Sequence, residues 1–249
     1  MNELTSPNAV QPDQGGPAKS VEMALRVLFS PAEVFEELNR RPRWLVPLVI
    51  CVLLAVISSW ILIPSVILPA QREALEQRGM TEEQLEAAGV WLEGNRALII
   101  GIVSAVVVTC LMFVVVAGVF HLVCGVLLQG KANFVRTFAV VAYSQMVMLP
   151  EVIVKLPIQM ITKKQEVQTS LALLLDKNAS ESLGYRLLYQ FVSQVEIFTL
   201  WKILLISMGL SVVFKFSRRK GYYVGGGAWL AWAVLASVVA ALVGRTFGT

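Results

Sequence analysis

Four ionisable side chains inside apolar stretches are the residues of this sequence best suited to chemistry. Glu151 and Lys155 lie in one such stretch, and Glu196 and Lys202 lie at the start of the next. A charge at the centre of a membrane-spanning helix costs about 2.5–3.5 kcal/mol, so each of these residues needs a partner. Glu151 precedes Lys155 by one helical turn, which is the order that favours an ion pair on one helix face.

The two pairs are expected to meet in one polar cluster. Consecutive spans run antiparallel, so Lys155 near the end of its helix and Lys202 near the start of the next reach a similar depth. The predicted cluster, with its two uncharged members deeper in the membrane, comprises Glu151, Lys155, Glu196, Lys202, Tyr143 and Gln145. Two interpretations stay open. The lysines extend to the membrane surface and the pairs join helices, which is the more common outcome, or the cluster lines a cavity or a lipid-headgroup pocket.

The remaining candidate residues give no catalytic pattern. His121, the single histidine, lies near the end of another apolar stretch, where a hydrogen-bonded link between helices is more common than a proton relay. Cys51, Cys110 and Cys124 lie in apolar stretches without metal-site spacing. The sequence contains neither a His-Glu-x-x-His pair nor a nucleophile elbow. We therefore expect no catalytic residue, no metal site, no cofactor and no enzymatic activity.

The composition indicates a membrane protein. Hydrophobic residues make up 56% of the chain and charged residues 15%, a balance too apolar for a soluble domain. Several stretches exceed the roughly 18 apolar residues that indicate a transmembrane helix. The expected spans are 44–68, 97–128, 138–161, 196–214 and 228–244. The predicted fold is an all-α polytopic membrane protein with five transmembrane helices in 44–245 and short amphipathic interfacial helices.

The N-terminal region is expected to hold a tail and two interfacial helices. Residues 1–20 are polar and rich in proline and glycine, which predicts a disordered cytoplasmic tail. Residues 21–43 follow as amphipathic helices, the first with its apolar face formed by Val21, Ala24, Leu25 and Leu28. The second begins with a predicted capping box of Ser30 and Glu33, with Pro31 at the first helical position and a hydrophobic staple of Phe29 and Val34.

Two glycine-containing loops complete the layout. In the loop 69–96, Gly79 is expected to end one helix, and Thr81 with Gln84 to begin the next as a capping box. The glutamates of this loop favour a solvated acidic surface over a divalent-cation site. Gly225, Gly226 and Gly227 predict a flexible or tight turn before the last span.

The distribution of lysine and arginine predicts the orientation. The segments on one side carry eleven of these residues, namely Lys19, Arg26, Arg40, Arg41, Arg43, Lys131, Arg136, Lys215, Arg218, Arg219 and Lys220. Such residues concentrate on the cytoplasmic side of membrane proteins. The segments on the other side carry eight, most of them in two long loops, where the rule counts weakly: Arg72, Arg78, Arg96, Lys163, Lys164, Lys177, Arg186 and Arg245. The N-terminus is therefore expected in the cytoplasm and the C-terminus outside. No basic tract with interleaved aromatic residues lies outside the spans, so no nucleic-acid partner is expected.

Several segments occur in a recognisable order. They are Ser30-Pro31-Ala32-Glu33 before Arg41-Pro42-Arg43-Trp44, then Gly130-Lys131-Ala132-Asn133-Phe134, Ala142-Tyr143-Ser144 with Pro150, Glu196-Ile197-Phe198-Thr199-Leu200-Trp201, and Met208-Gly209-Leu210. With the five-span layout, these segments resemble bacterial members of the Yip domain family over most of residues 28–245. The resemblance implies a multi-pass protein of the bacterial inner (plasma) membrane. Eukaryotic relatives act in membrane trafficking and contact small GTPases, but this chain lacks their long acidic cytoplasmic region, so GTPase binding is not carried over.

The sequence leaves two functions open. The first is a non-enzymatic inner-membrane protein that organises the bilayer or scaffolds a membrane complex through interfacial helices and lateral packing. The alternative is a transport component, either an accessory subunit of an exporter or a small channel-like unit. The expected partner is the lipid bilayer, with other membrane proteins such as an exporter complex, or further copies of the chain, as candidates. A continuous polar path inward from Glu151 would favour transport, and isolated polar pairs would favour the scaffold.

Overall fold

The chain folds into a bundle of helices. The computed structural model describes residues 16–81, 84, 95–165, 167, 169–175 and 182–247. Within these ranges, four helices are long and apolar enough to cross a membrane, and a fifth apolar helix has 17 residues. Extended pairing in the same ranges is limited to an isolated bridge between Ser170 and Glu196. The predicted all-α polytopic membrane fold is confirmed.

The helices follow one another with short distortions between some of them. They are α1 (Pro17–Arg26), α2 (Pro31–Arg40), α3 (Leu45–Leu62), α4 (Leu68–Gln77), α5 (Asn95–His121), α6 (Phe134–Ser144), α7 (Met148–Thr162), α8 (Leu183–Ser193), α9 (Ile197–Val213) and α10 (Arg218–Phe247). A π-helical turn joins α3 to α4, and a second one, Leu122–Leu127, extends α5. A 3₁₀ turn, Gln145–Val147, joins α6 to α7, and a 3₁₀ turn Leu171–Leu174 precedes α8.

The span formed by α6 and α7 lies at the centre of the bundle. Every residue from Thr137 to Ser144 is buried, as are Met146 and Val147. Helices α2, α3, α5 and α9 contact α6. We call the end of the bundle at Arg43, Lys131, Lys215 and Arg218–Lys220 the basic end. Helices α3, α6 and α10 begin at this end, and α5 and α9 finish at it.

The apolar face of α2 packs inside the bundle. Val34, Phe35 and Leu38 are fully buried in the same core cluster as α6 and α9. Gly209 of α9 makes room for this contact, because a Cβ atom there would lie 2.4 Å from a Val140 methyl carbon and 3.0 Å from the Phe35 ring. The helix is amphipathic as predicted, but it buries its apolar side against protein.

The predicted capping box and hydrophobic staple of α2 are wrong. Ser30 occupies the N-cap and Pro31 begins the helix, but the Ser30 side chain makes no capping hydrogen bond. The Glu33 carboxylate instead forms a salt bridge with Arg26 at the end of α1, 2.5 Å away. Phe29 is 83% exposed while Val34 is buried, because Val34 packs into the bundle core and away from the predicted staple.

Helix α1 also differs from its predicted boundary and face. It begins at Pro17, inside the expected tail; the rest of that tail, residues 1–15, lies outside the described residues. The buried side chains are Ser20, Met23, Ala24 and Val27, whereas Val21 and Leu25 are exposed. Of these buried residues, Ala24 is the one that also belongs to the predicted apolar face. Packing onto α2 and α3, rather than the most hydrophobic stripe, selects the buried side.

The first span continues beyond its predicted end. Pro64 lies in the π-helical turn Ile63–Ile67, and the helical path continues past the predicted limit of residue 68 to Gln77. The Ser65 hydroxyl donates to the Ile61 carbonyl inside this distortion. Proline removes a backbone donor, and a local π turn is one way for a helix to accommodate it.

The glycine and capping signals after α4 are confirmed. Gly79 has φ +77°, its N–H donates to Glu76, and the Met80 N–H donates to Leu75. These bonds form a Schellman motif. Thr81 and Gln84 exchange the two hydrogen bonds of a capping box, at 3.1 and 3.3 Å.

The predicted turn at Gly225-Gly226-Gly227 is wrong, because these residues lie inside α10, which begins at Arg218. Cβ atoms on Gly221 and Gly225 would lie 1.8 Å from the Ser211 hydroxyl and 2.1 Å from the Ser207 hydroxyl, respectively. Glycine and serine one turn apart on facing helices allow close backbone approach in membranes. Two of the glycines in this region therefore serve the packing of α9 on α10.

Candidate functional site

Four charged side chains form one network between α7 and α9. The Lys155 Nζ atom lies 2.7 Å from Glu151 Oε1 and contacts the Glu196 carboxylate. The Lys202 Nζ atom lies 3.8 Å from Glu151 Oε2. These side chains are 16–27% exposed. We call Glu151, Lys155, Glu196 and Lys202 the ion network.

Local structure holds each member in place. Glu151 and Lys155 lie one turn apart on α7, whose start is set by the 3₁₀ turn at Gln145–Val147. Glu196 is the extended N-cap residue of α9. The loop between α7 and α8 is held beside the start of α9 by the hydrogen bond from Leu171 N–H to the carbonyl of Val195, which precedes α9. From the same loop, the Thr169 hydroxyl donates to the Glu196 carboxylate.

A polar pocket lies at the end of the network opposite the basic end. Its volume is about 510 Å³, and its lining includes Lys155, Gln159, Thr169, Gln190, Ser193 and Glu196. Helices α7, α8 and α9 and the intervening loop supply these side chains. Amide, hydroxyl and charged groups all face this space, so the polar pocket suits a polar ligand.

A middle pocket of about 320 Å³ lies on the other side of Lys155. It is lined by Ser58, Gln145, Glu151, Lys155, Gln159 and Lys202, together with apolar residues of α3 and α7. The Ser58 hydroxyl oxygen is buried and has no hydrogen-bond partner within the described ranges. The middle pocket thus adjoins three of the four charged side chains.

An apolar pocket of about 320 Å³ lies between α5, α9 and α10. Its lining includes Met112, Val115, Ile203 and Trp232, and it shares Gln145 and Lys202 with the middle pocket. Met112, Val115 and Trp232 are exposed on the outside of the bundle. The apolar pocket is therefore open to the side, on the surface that a bilayer would cover.

The three pockets do not continue towards the basic end. Val140, Val141, Met146 and Val147 are fully buried in the core, and Tyr143 is buried among them. The Tyr143 hydroxyl has no hydrogen-bond partner in the described part of the chain, and Tyr143 lines none of the three pockets. Gln145 is the last polar lining residue on this path.

His121 lies apart from the ion network, near the basic end. Its Nδ1 atom lies 3.3 Å from the Thr137 hydroxyl oxygen. Its ring packs edge-on against Phe134 at 5.7 Å and tilted against Phe214 at 6.2 Å. This histidine joins α5, α6 and the end of α9, so its contacts are those of a link between helices.

The comparison with protein families identifies the fold. Residues 25–241 match the Yip1 domain. This chain belongs to the Yip1 domain family. Neither the comparison with curated proteins nor the one with solved structures gave a match. Two glycines of the resembling segments have packing roles in this Yip1 domain. Gly209 admits α2, and a Cβ atom on Gly130 would lie 2.5 Å from the Phe214 ring.

The described residues of the Yip1 domain contain no group of three or more histidine, cysteine, aspartate or glutamate side chains that could hold a metal ion. Four of the six glutamates in the acidic loop 69–96 lie outside the described residues, namely Glu82, Glu83, Glu86 and Glu93. The ion network and the pockets beside it are therefore the candidate functional site.

Several lining residues of this Yip1 domain have no signal in the sequence. Ser58 lies in an apolar helix, where a single serine is unremarkable. Thr169 lies in a polar loop, and Gln190 and Ser193 lie in the amphipathic helix α8, where polar residues are common. Their assembly around Lys155 and Glu196 depends on how the loop folds over α9, which no local pattern encodes.

Proposed function

We propose that this Yip1 domain protein is a non-enzymatic scaffold of the bacterial inner membrane, which organises the bilayer or a membrane complex by lateral packing. The observation that carries the proposal is that the ion network is closed on its basic-end side. Beyond Gln145 the centre of the bundle is filled by fully buried side chains, most of them apolar, such as Val140, Val141 and Met146. Among the described residues, the three pockets therefore do not extend from the ion network to the basic end.

The proposed topology has five spans, with the basic end in the cytoplasm. Helix α9 has 17 residues, and about 1.5 Å of rise per residue gives it roughly 25 Å, near the lower limit for crossing a bilayer. Lysine and arginine at the ends of short loops favour the cytoplasmic side. The N-terminus is then inside and the C-terminus outside.

The lateral surface supports packing with lipid or other proteins. Large apolar side chains are exposed along α3 and α5, among them Leu53, Trp60, Val107 and Leu111. Exposed apolar surface of this extent suits a bilayer, and it also offers contacts to other membrane helices or to a second copy of the chain.

A flux measurement tests the scaffold against its rival. Purified protein is reconstituted into vesicles, and the leak of protons, potassium and a small anionic dye is compared with that of empty vesicles. The scaffold predicts equal leak. A flux that is present with the native chain, lost with Glu151→Gln and kept with the exposed-site control Glu76→Gln would overturn it.

The transport alternative keeps one observation in its favour. The three pockets meet at the ion network, which could hold a small solute between them. An accessory role in an exporter predicts a stoichiometric exporter subunit after purification in mild detergent. The scaffold predicts lateral partners or self-association that persist when one pair of charges in the ion network is removed by Glu151→Gln with Lys202→Met.

A further inference from the structure

We infer that the three adjoining pockets hold one phospholipid with an amine-bearing zwitterionic headgroup, its phosphate at Lys202, its ammonium at Glu196 and an acyl chain in the apolar pocket. The inference deepens the proposed function, on which it rests, because it names the lipid that the scaffold would bind. The argument depends on charge balance, on a lysine without a hydrogen bond among the described residues, and on the order of the pockets.

The charge of the ion network suits a zwitterion. Two carboxylates and two ammonium groups cancel, so an anionic headgroup would add an uncompensated negative charge to a partly desolvated site. A phosphoethanolamine group adds no net charge. Its ammonium can donate to carboxylates, and its phosphate can accept from lysine, which are strong charge-assisted contacts.

Lys202 has bonding capacity left over. An ammonium group has three donors. The contact of Lys202 with Glu151 is 3.8 Å, which is beyond hydrogen-bond distance. Lys155, by contrast, is held between Glu151 and Glu196. The unpartnered hydroxyl of Ser58 lines the same middle pocket as Lys202. An oxygen-rich group placed there would satisfy both.

The pockets follow the order of groups in a phospholipid. The apolar pocket opens on the lateral surface and reaches Lys202. The middle pocket then runs from Lys202 to Lys155, and the polar pocket begins at Lys155 and contains Glu196. A phospholipid in these pockets would thus place its tail in the apolar pocket, its phosphate at Lys202 and its amine at Glu196. This matched order points to a lipid rather than to a free solute.

The native chain alone tests the inference. The purified protein is equilibrated with vesicles of equimolar phosphatidylethanolamine and phosphatidylglycerol, re-extracted in mild detergent, and its retained lipid is quantified. We expect phosphatidylethanolamine to be enriched by about fivefold or more. Retained lipid within twofold of the vesicle ratio, or enriched in phosphatidylglycerol, overturns the inference. Free phosphoethanolamine is added as a competitor, and displacement of most of the lipid at equal concentration would overturn the assignment of the apolar pocket.

Matched variants locate the preference. Glu151→Gln with Lys202→Met removes one pair of charges in the ion network, and the enrichment should fall to within twofold. Arg72→Met with Glu76→Gln removes an exposed pair of the same kind, 3.4 Å apart on α4, and should leave it unchanged. Equal phosphatidylethanolamine enrichment in the two double variants would overturn the assignment of the lipid to the ion network. A negative lipid result with no vesicle flux would overturn this inference alone. A flux that is lost with Glu151→Gln and kept with Glu76→Gln would overturn the scaffold.

Discussion

Lys155 is the residue on which the ion network depends, because it contacts both carboxylates, whereas Lys202 contacts one of them at longer range. The carboxylates keep different additional partners. Glu196 also accepts from the Thr169 hydroxyl, and Glu151 is shared by both lysines. Loss of the central cation therefore leaves two acids close together with less compensation than loss of the peripheral one.

Lys155→Met is expected to lower the free energy of unfolding by about 1.5–3 kcal/mol, the range for hydrogen bonds to charged groups. Lys202→Met, the matched control, should cost less, because its pair is longer and partly exposed. Thermal unfolding in detergent measures both. Adding Glu196→Gln to Lys155→Met should recover part of the loss. Equal costs for the two lysines would contradict the hierarchy described above.

The sequence predicts the charged members of this cluster for a physical reason. A charge in an apolar helix must find a partner, and the spacing of Glu151 and Lys155 supplies one without any tertiary information. Tyr143 carries no such constraint, and the structure buries it in the core. The prediction of a turn at residues 225–227 is wrong because glycine suits both turns and close helix contacts. Only the facing serines of α9 distinguish the two.

At the scale of elements, the contact between α9 and α10 depends on side chains that are absent or very small. Gly225→Ala places a methyl group 2.1 Å from the Ser207 hydroxyl oxygen, whereas Gly226 has open space around its Cβ position. We expect Gly225→Ala to cost about 1–3 kcal/mol through overpacking. Gly226→Ala should be neutral or stabilising, since alanine favours the helix. Unfolding in detergent compares them, and a similar effect of both would refute the close approach.

The N-cap residues of α6 and α2 differ in whether their side chains form a capping hydrogen bond. The Asn133 side chain accepts a hydrogen bond from the Arg136 N–H at the start of α6, 3.1 Å away, whereas Ser30 makes no such bond at the start of α2. Asn133→Ala should therefore cost about 0.5–2 kcal/mol. Ser30→Ala should cost clearly less. A larger loss for Ser30→Ala, measured by thermal unfolding, would restore the capping role that its sequence position indicates.

At the scale of the whole molecule, the proposed topology separates Glu76 from Arg219. Both residues are exposed, one on α4 and one at the start of α10 at the basic end. In a chain without its native cysteines, a cysteine at position 76 should react with an impermeant thiol reagent on intact cells. A cysteine at position 219 should react only after the membrane is opened. Labelling of position 219 on intact cells would invert the orientation.

Helix α2 is synthesised long before α9, against which it packs. The face formed by Val34, Phe35 and Leu38 packs against α9, which the ribosome synthesises much later. At about 5–20 residues per second, the interval from Phe35 to Gly209 is roughly 10–35 s. During that interval this face has no native partner on α9, so the nascent chain must shelter it at the membrane surface or on a chaperone. A chain released before α9 would carry that face without its native partner on α9.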